Sequence, residues 1–130
     1  MAKFSYRATV DSKEKLIHAA AYGECVEANI IEMYKNLGLA LKSNQLKSLV
    51  IDVSQLHITY DYPSVLTVLQ KLNQFVDGIT LARVISPSDT KSGLIEAFAD
   101  KHGLTIKNFE NYNDAVAWVH TVNEKIYKIK

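Results

Sequence analysis

The 130-residue sequence has little of what metal, redox and membrane proteins require. It contains one cysteine, Cys25, so an intrachain disulfide is impossible and a cysteine-based metal site is not expected. A single thiol is compatible with a reducing compartment. No apolar run approaches the roughly 20 residues that span a bilayer, and the first residues lack the apolar core of a signal peptide. We therefore expect a cytoplasmic protein without a membrane span.

The sequence also lacks an excess of charge of either sign. Lysine and arginine total 15, and aspartate and glutamate total 14. A nucleic-acid binder needs a basic surface to neutralise phosphates, so we expect no nucleic-acid partner. The one local excess of positive charge lies at the C-terminus, in Lys125, Lys128 and Lys130. Lysines on a terminal helix are typical of a solvated face, and a weak contact with an anionic surface is the alternative.

Motifs for catalysis and for cofactor binding are absent. The sequence has no Gly-rich phosphate loop and no Gly-x-Ser-x-Gly elbow, so we expect neither a cofactor nor an enzyme. Cys25 lies near the start of a predicted helix, where a buried small residue is a simpler role than a nucleophile. No His-x-x-x-His or Glu-x-x-His pair occurs, which argues against a metal site. The histidines are His18, His57, His102 and His120.

What the sequence does contain is a regular alternation of strand and helix patterns in a chain of one-domain length, residues 1–130. Hydrophobic residues make up 48% of it, near the globular average. A hairpin opens the chain, since residues 16–22 return beside a first strand after the turn signal of residues 11–14. The first strand alternates apolar and polar residues, as a half-buried strand does. Its apolar residues are Phe4, Tyr6, Ala8 and Val10.

Amphipathic helices and short apolar strands alternate through the rest of the chain. Steps of three and four between apolar residues predict a helix over 24–42 that ends at Asn44. The other predicted elements are a strand over 47–53, a helix from Pro63 to Val76, a strand over 79–85, a helix around 94–99 that ends at Gly103, a strand over 104–109, and a final helix from Asn111 whose apolar face includes Ile126. The order β-β-α-β-α-β-α-β-α predicts an α/β domain with helices packed against a mainly parallel sheet and an antiparallel edge strand.

Three local patterns, together with this order, resemble the SpoIIAA-like branch of the STAS domain family. Residues 49–54 (LVIDVS) resemble the STAS strand that ends in an aspartate, and residues 82–84 with 93–99 resemble the next strand and helix. Residues 109–119 (FENYNDAVAWV) are similar to the family's ending. The resemblance implies the fold of anti-sigma-factor antagonists and of the cytoplasmic tails of sulfate transporters. It also implies a non-enzymatic regulatory or protein-interaction module.

The chain departs from the phosphorylatable members of that family at the start of the helix after the central strand. Those members carry Asp-Ser-Ser-Gly, whereas the corresponding residues here are Asp61, Tyr62, Pro63 and Ser64. Depending on the register, Tyr62 or Pro63 stands at the phosphoserine position, and a shifted register would place Ser64 there. We therefore expect a module without the usual phosphoserine switch.

Two polar segments, residues 54–64 and 86–92, follow predicted parallel strands and precede helices. Ligands of open parallel sheets bind beyond the carboxyl ends of the strands, and helix N-termini attract anions. The alternative is that Ser54, Ser64, Ser88 and Asp89 only cap turns and helices. Tyr60 and Tyr62 have side chains suited to an interface, or else they cover the edge of the core. The candidate partner-binding or anion-binding face consists of Asp52, Ser54, Thr59, Tyr60, Asp61, Tyr62, Ser64, Ser86, Ser88 and Asp89.

The resemblance leaves a second function open. The same fold resembles lipid-binding CRAL-TRIO domains, so the alternative is a small-ligand carrier for a lipid, an acyl chain or a nucleotide. The aliphatic residues on the helices that start at Glu24 and Pro63 fit a carrier and a plain core equally well. For an interaction module we expect a protein partner. A homodimer is the default assembly, because two-fold pairing is the commonest.

Overall fold

The computed structural model describes the backbone of residues 2–127 and the side chains of residues 2–125. The expected roles of Ile126, Lys128 and Lys130 lie outside the described residues. The elements follow the predicted order. They are β1 (Ser5–Asp11), β2 (Leu16–Cys25), α1 (Glu27–Ser43), β3 (Ser48–Ile58), α2 (Tyr62–Val76), β4 (Thr80–Val84), α3 (Ser92–His102), β5 (Thr105–Phe109) and α4 (Tyr112–Tyr127).

The five strands form one sheet in the order β1-β2-β3-β4-β5. β1 pairs antiparallel with β2, and each later pair is parallel. In the turn of the hairpin, the Asp11 carboxylate accepts a hydrogen bond from the Glu14 N–H at 2.9 Å, and Lys15 has a φ of 58°. The predicted α/β architecture, a mainly parallel sheet with an antiparallel edge, is confirmed.

The helices cover the two faces of the sheet unequally. α1, α2 and α3 pack on one face, where Met33 of α1 and Leu69 of α2 join the larger buried core. α4 packs on the other face, where its Val119 lies in a separate cluster with Val50 and Val84. Residues 48–51 of β3 and all of β4 are buried from both sides, which explains the nearly continuous apolar sequence of these segments.

The predicted helix start at Glu24 is wrong. β2 continues to Cys25 and α1 begins at Glu27. The last residues of β2 stay extended because they pair in parallel with residues 56–58 of β3. Val26 is therefore the residue before the helix, with 52% of its surface exposed, and does not belong to the apolar face of α1.

The predicted strand over 47–53 is too short. β3 continues to Ile58, so residues 54–58, His57 among them, form a strand and not the expected loop. The pairing of β3 with β2 shifts by one residue at positions 53–54, which is a β-bulge. A bulge breaks the period-2 alternation of side chains on which a strand prediction depends. The sequence pattern therefore did not predict a strand over residues 54–58.

The predicted burial of one face of β1 is only partly correct. Phe4 and Tyr6 pack against the core, but Ala8 and Val10 are exposed. β1 is an edge strand, and the helices of this face lie over the strands further inside the sheet. At Tyr6 the covering is polar, since Asn36 of α1 donates a hydrogen bond to the Tyr6 hydroxyl at 3.1 Å.

The ends of three helices agree with the sequence signals. Asp61 precedes α2 and accepts a hydrogen bond from the Ser64 N–H at 3.0 Å. Gly103 follows α3 with a φ of 68°, the left-handed conformation in which many helices end. Asn111 accepts a hydrogen bond from the Asp114 N–H at 3.1 Å at the start of α4.

Gly23 is expected to tolerate no side chain. Its φ is 86°, and a Cβ there would lie 2.4 Å from the carbonyl oxygen of Lys3, which cannot move without breaking the bridge between Lys3 and Glu24. We expect Gly23→Ala to lower the free energy of unfolding by at least about 2 kcal/mol in chemical denaturation.

The matched control is Gly93→Ala. Gly93 lies in α3 with open space around the position of a Cβ, so alanine should leave stability unchanged or raise it by up to about 1 kcal/mol. Equal unfolding free energies for the two variants would show that the close approach of Lys3 is not rigid.

Cys25 ends a strand instead of beginning a helix, and its side chain is fully buried. Burial raises the pKa of the thiol to about 11. At pH 8 only about 0.1% of it would be thiolate, so we expect a thiol-reactive disulfide reagent to modify the folded protein very slowly. The same reagent in denaturant should modify one thiol per chain at once. Rapid modification of the folded protein at pH 8 would contradict this burial.

Candidate functional site

β3 is longer than the strand beside it. β4 pairs with β3 from Ser48 to Asp52 and ends at Val84, whereas β2 pairs with β3 as far as Ile58. Residues 53–58, the β3 overhang, therefore have β2 on one side. On the other side, the part of the chain that the structure describes supplies no paired strand.

Asp52 holds the start of the β3 overhang in place. Its Oδ1 accepts hydrogen bonds from the N–H of Ser54 at 2.9 Å and from the hydroxyl of Ser54 at 2.6 Å. These bonds satisfy polar groups that the bulge removes from the ladder. Asp52 was predicted to bind a partner or an anion, but here its Oδ1 contacts the chain itself.

The backbone of the β3 overhang has an open edge. The Thr59 N–H donates to the Cys25 carbonyl at 3.1 Å, so the residues at odd positions before it face β2. Because successive residues of a strand point their N–H and C=O groups to opposite sides, those of Leu56 and Ile58 face away from β2. This edge can therefore accept hydrogen bonds from another extended chain and donate hydrogen bonds to it.

A groove of about 510 Å³, the edge groove, runs along the open edge of β3. The β3 overhang forms one wall and the loop of residues 86–91 forms the other. Four of the predicted site residues line it: Ser54, Ser86, Ser88 and Asp89. The sequence did not single out the other polar residues that line it: Gln55, His57, Thr90 and Lys91.

The loop that forms the second wall is ordered by its own side chains. The Asp89 carboxylate accepts hydrogen bonds from the N–H groups of Lys91 and Ser92 at 2.7 and 2.9 Å, which orders the start of α3. The hydroxyls of Ser86 and Ser88 are 2.8 Å apart. Capping, the alternative interpretation, therefore describes Asp89. The Ser86 hydroxyl also accepts a hydrogen bond within the turn, from the Ser88 N–H at 3.3 Å, while both serines line the groove.

Tyr62 joins the two predicted segments. Its hydroxyl donates to the carbonyl of Thr90 at 2.8 Å, and the Lys91 ammonium lies 5.6 Å from the centre of its ring. Asp61 beside it caps α2, and its hydrogen bonds with Ser64 lower the pKa of the Asp61 carboxyl. These contacts keep the start of α2 next to the loop before α3.

The remaining predicted residues lie away from the edge groove. The Thr59 hydroxyl donates to the Cys25 carbonyl at 3.0 Å and ties the end of β3 to β2. Tyr60 is half-buried and turns inward, where it lines a cavity between the sheet and the helices. The predicted face is therefore divided between an outer groove and an inner cavity.

The inner cavity has a volume of about 50 Å³ and was not anticipated from the sequence. Aliphatic side chains from the sheet and from α2 form most of its lining. Three side chains carry polar atoms into this apolar setting: Tyr34, Tyr60 and Arg83. Val53, Leu56 and Ile58 line both the cavity and the edge groove, so the β3 overhang is the wall between them.

Arg83 is the charged residue of the cavity, and only 4% of its surface is exposed. Its Nη1 donates to the side-chain oxygen of Asn108 on β5 at 2.7 Å. Burial raises the pKa of the Tyr34 hydroxyl, and the charge of Arg83 and a hydrogen bond with it act in the opposite direction. Burial also raises the pKa of Tyr60, so both phenols are neutral at physiological pH.

A second polar cluster lies on the face of the sheet that α4 covers. His18 Nδ1 forms a hydrogen bond with the Tyr112 hydroxyl, and His18 Nε2 lies 3.4 Å from the Asp11 carboxylate. Burial raises the pKa of Tyr112, and the charge of Asp52 adds to that effect. The sequence separates these residues widely, and the hairpin and the start of α4 bring them together.

Two further findings concern the described residues as a whole. None of the helices in residues 2–127 is long and apolar enough to cross a membrane. In the same part of the chain, no group of three or more His, Cys, Asp and Glu side chains is arranged to hold a metal ion.

Comparisons with known proteins give matches in structure. The unphosphorylated anti-sigma factor antagonist SpoIIAA is 10% identical and has a TM-score of 0.55 over 88% of this chain and 97% of its own. An anti-sigma factor antagonist from Mycobacterium paratuberculosis is 17% identical, with a TM-score of 0.58 over 88% of this chain and 94% of its own. An uncharacterized protein with a SpoIIAA-like fold from Shewanella loihica is 14% identical, with a TM-score of 0.57 over 92% of this chain and 98% of its own.

Comparisons of sequence, in contrast, give no match. No protein-family model matches the chain, and no curated protein matches it at a significant level. At identities of 10 to 17% the structural likeness concerns the course of the backbone and not the site residues. On the element order, the sheet topology and these matches, the chain has the SpoIIAA-like STAS fold that its sequence resembles.

Proposed function

We propose that this chain is a non-enzymatic regulatory module that binds a protein partner in the edge groove. The open edge of the β3 overhang carries the proposal, because its backbone groups face a groove of the size in which proteins bind ligands. The fold is shared with anti-sigma factor antagonists, which supports a regulatory role of the same kind. We propose that residues 1–130 act as one unit in the cytoplasm. A homodimer stays a prediction.

An extended segment of the partner is the form that suits this groove. A strand that adds to an open edge gains main-chain hydrogen bonds, and side chains along the groove select among sequences. The backbone groups of Leu56 and Ile58 would form the ladder, while Gln55 and the serine hydroxyls would contact the side chains of the segment. The Lys91 ammonium disfavours a cationic residue directly opposite it, and the Asp89 carboxylate lies in the same wall of the groove.

The alternative function, a small-ligand carrier, has less support. The inner cavity of about 50 Å³ has room for about three to five water-sized groups, so an acyl chain or a nucleotide would require α2 to move away from the sheet. The edge groove is larger, but it is open and lined mainly by polar side chains, which suit a peptide better than an apolar chain.

Photo-crosslinking in the cells that make the protein tests the groove. A photoreactive amino acid at His57 or at Thr90, both exposed in the edge groove, should label one and the same protein. Placed at Ser12, in the exposed turn at the opposite end of β2, it should not label that protein. The readout is the mass of the adduct and the identity of the attached peptide.

The Ser88→Arg substitution is the blocking variant for this experiment. A long cationic side chain at this exposed position would fill the groove and should reduce labelling from Thr90 by about tenfold or more. The Ser12→Arg variant adds the same side chain outside the groove and should leave labelling unchanged. Equal labelling from Ser12, or full labelling in the Ser88→Arg variant, would place the partner elsewhere.

We also propose that the module works without a phosphoserine switch. The Ser64 N–H and hydroxyl both hydrogen-bond to Asp61, so a phosphate on Ser64 would place two anions side by side. Phosphopeptide mapping of protein isolated from its own cells should find no phosphate on Ser54, Tyr62 or Ser64. Synthetic phosphopeptides of the same sequences, added before digestion, control for detection. A largely phosphorylated Ser64 would contradict the proposal and restore the switch.

A further inference from the structure

Arg83 occupies the interior position at which a cation is least expected. It lies on β4, between Ile51 of β3 and Asn108 of β5. Its side chain is directed to the face of the sheet that α1, α2 and α3 cover. The guanidinium thus belongs to the apolar core beneath α1, α2 and α3. A buried ion without a counter-ion is strongly unfavourable, so the stability of this guanidinium depends on its hydrogen-bond partners.

The described partners use only part of the donor capacity of Arg83. A guanidinium has five N–H groups. Asn108 accepts from one of them, and the Tyr34 hydroxyl, whose pKa Arg83 lowers against the larger effect of burial, lines the same cavity. Among the side chains of residues 2–125 no carboxylate forms an ion pair with Arg83. The Glu96 carboxylate belongs to the same network, but it accepts from the Asn108 N–H at 3.3 Å.

Other side chains around Arg83 can also donate hydrogen bonds. If the Tyr34 hydroxyl accepts from Arg83, its own O–H remains available to donate. Tyr60 is close enough to Arg83 for the guanidinium charge to lower its pKa against the larger effect of burial. The hydroxyl of Ser92 is buried and has no hydrogen-bond partner among the described residues, while its carbonyl accepts from Asn108 at 2.9 Å. The Ser92 hydroxyl and the Arg83 guanidinium can therefore each donate further hydrogen bonds.

The size of the inner cavity limits what could accept further hydrogen bonds from Arg83. About 50 Å³ corresponds to about three to five water-sized groups, the heavy-atom count of a small organic acid. Its walls are mainly aliphatic, with Val65, Val68 and Leu69 from α2 and Ile95 from α3. One end that donates hydrogen bonds and carries positive charge, next to apolar walls, is complementary to a carboxylate with a short hydrocarbon part.

We propose that the inner cavity is a binding site for a small monocarboxylate, whose carboxylate is held by Arg83 with Tyr34 and Tyr60 and whose short apolar part contacts α2. The proposal goes beyond a partner in the edge groove and does not depend on it. Entry is from the side of the β3 overhang, where Leu56 and Ile58 are half-buried and line both recesses.

Titration of the isotope-labelled protein, followed by NMR, tests the proposal. The probes are acetate and propionate, and the matched controls are acetamide and propionamide, which have the same shape without the charge. We expect saturable shifts of the methyl groups of Val65, Val68 and Ile95 with the acids and not with the amides. Chloride and phosphate at the same ionic strength separate a carboxylate site from a site for any anion.

The Arg83→Met variant should lose the shifts that the acids cause. Methionine has a similar length and removes the buried charge, and the side-chain oxygen of Asn108 then loses one donor. Lys107→Met is the matched control, since Lys107 is an exposed cation on β5, and it should bind the acids as the unchanged protein does. If Arg83→Met does not fold, Tyr34→Phe serves instead, with affinity for the acids about tenfold weaker because one donor is lost.

Three results would overturn the proposal. Equal shifts from the amides would show that the cavity takes up any small molecule without using Arg83. Equal saturation by chloride would show an anion site without selectivity for carboxylates. No shift from any probe would show that Arg83 is solvated by water in the cavity. Each of these results leaves the crosslinking test of the edge groove unaffected, so the two proposals fail separately.

Discussion

Beyond Asp52 the β3 strand continues on β2 alone, because β4 ends at Val84. Both recesses of the molecule depend on this difference in strand length. If β3 ended with β4, neither the open backbone edge nor the side chains that close the inner cavity would be present. The bulge at residues 53–54 and the hydrogen bonds from Ser54 to Asp52 give the overhang its register. The central strand therefore both organises the sheet and shapes the candidate sites.

The two recesses on either side of the β3 overhang differ in chemistry. The edge groove is open and lined by hydroxyls, an amide and backbone groups, together with the ionisable side chains of His57, Asp89 and Lys91. The inner cavity is small and apolar, and it contains the guanidinium of Arg83 without a carboxylate partner in the described part of the chain. Hydrogen bonds and charges have larger effects on binding free energy where water is excluded, as in the inner cavity. The groove, with its length and open edge, is the better surface for a macromolecule.

The sequence predicted the order of elements, the parallel sheet with its antiparallel edge, and Pro63 in the first turn of α2, because each rests on local periodicity or local backbone geometry. It placed the end of β2 and the end of β3 wrongly, because both segments are polar and are extended only through pairing with one another. Of the candidate site, Ser54, Ser86, Ser88 and Asp89 do lie along one groove. Thr59 and Tyr60, next to them in sequence, contact β2 and the cavity instead.

The sequence by itself determined the architecture, since strand and helix periods and capping residues act over a few positions at a time. It also places Tyr62 and Pro63 directly after Asp61, and the prediction of a module without a phosphoserine switch rests on these residues. Only the tertiary structure decided that Tyr34, Tyr60 and Arg83 line one cavity. It alone also decided that β3 extends beyond the end of β4. In the sequence, Arg83 is simply one polar residue within an apolar strand. Its burial follows from the parallel register with Ile51 and Asn108 and from the helices above, which no local pattern specifies.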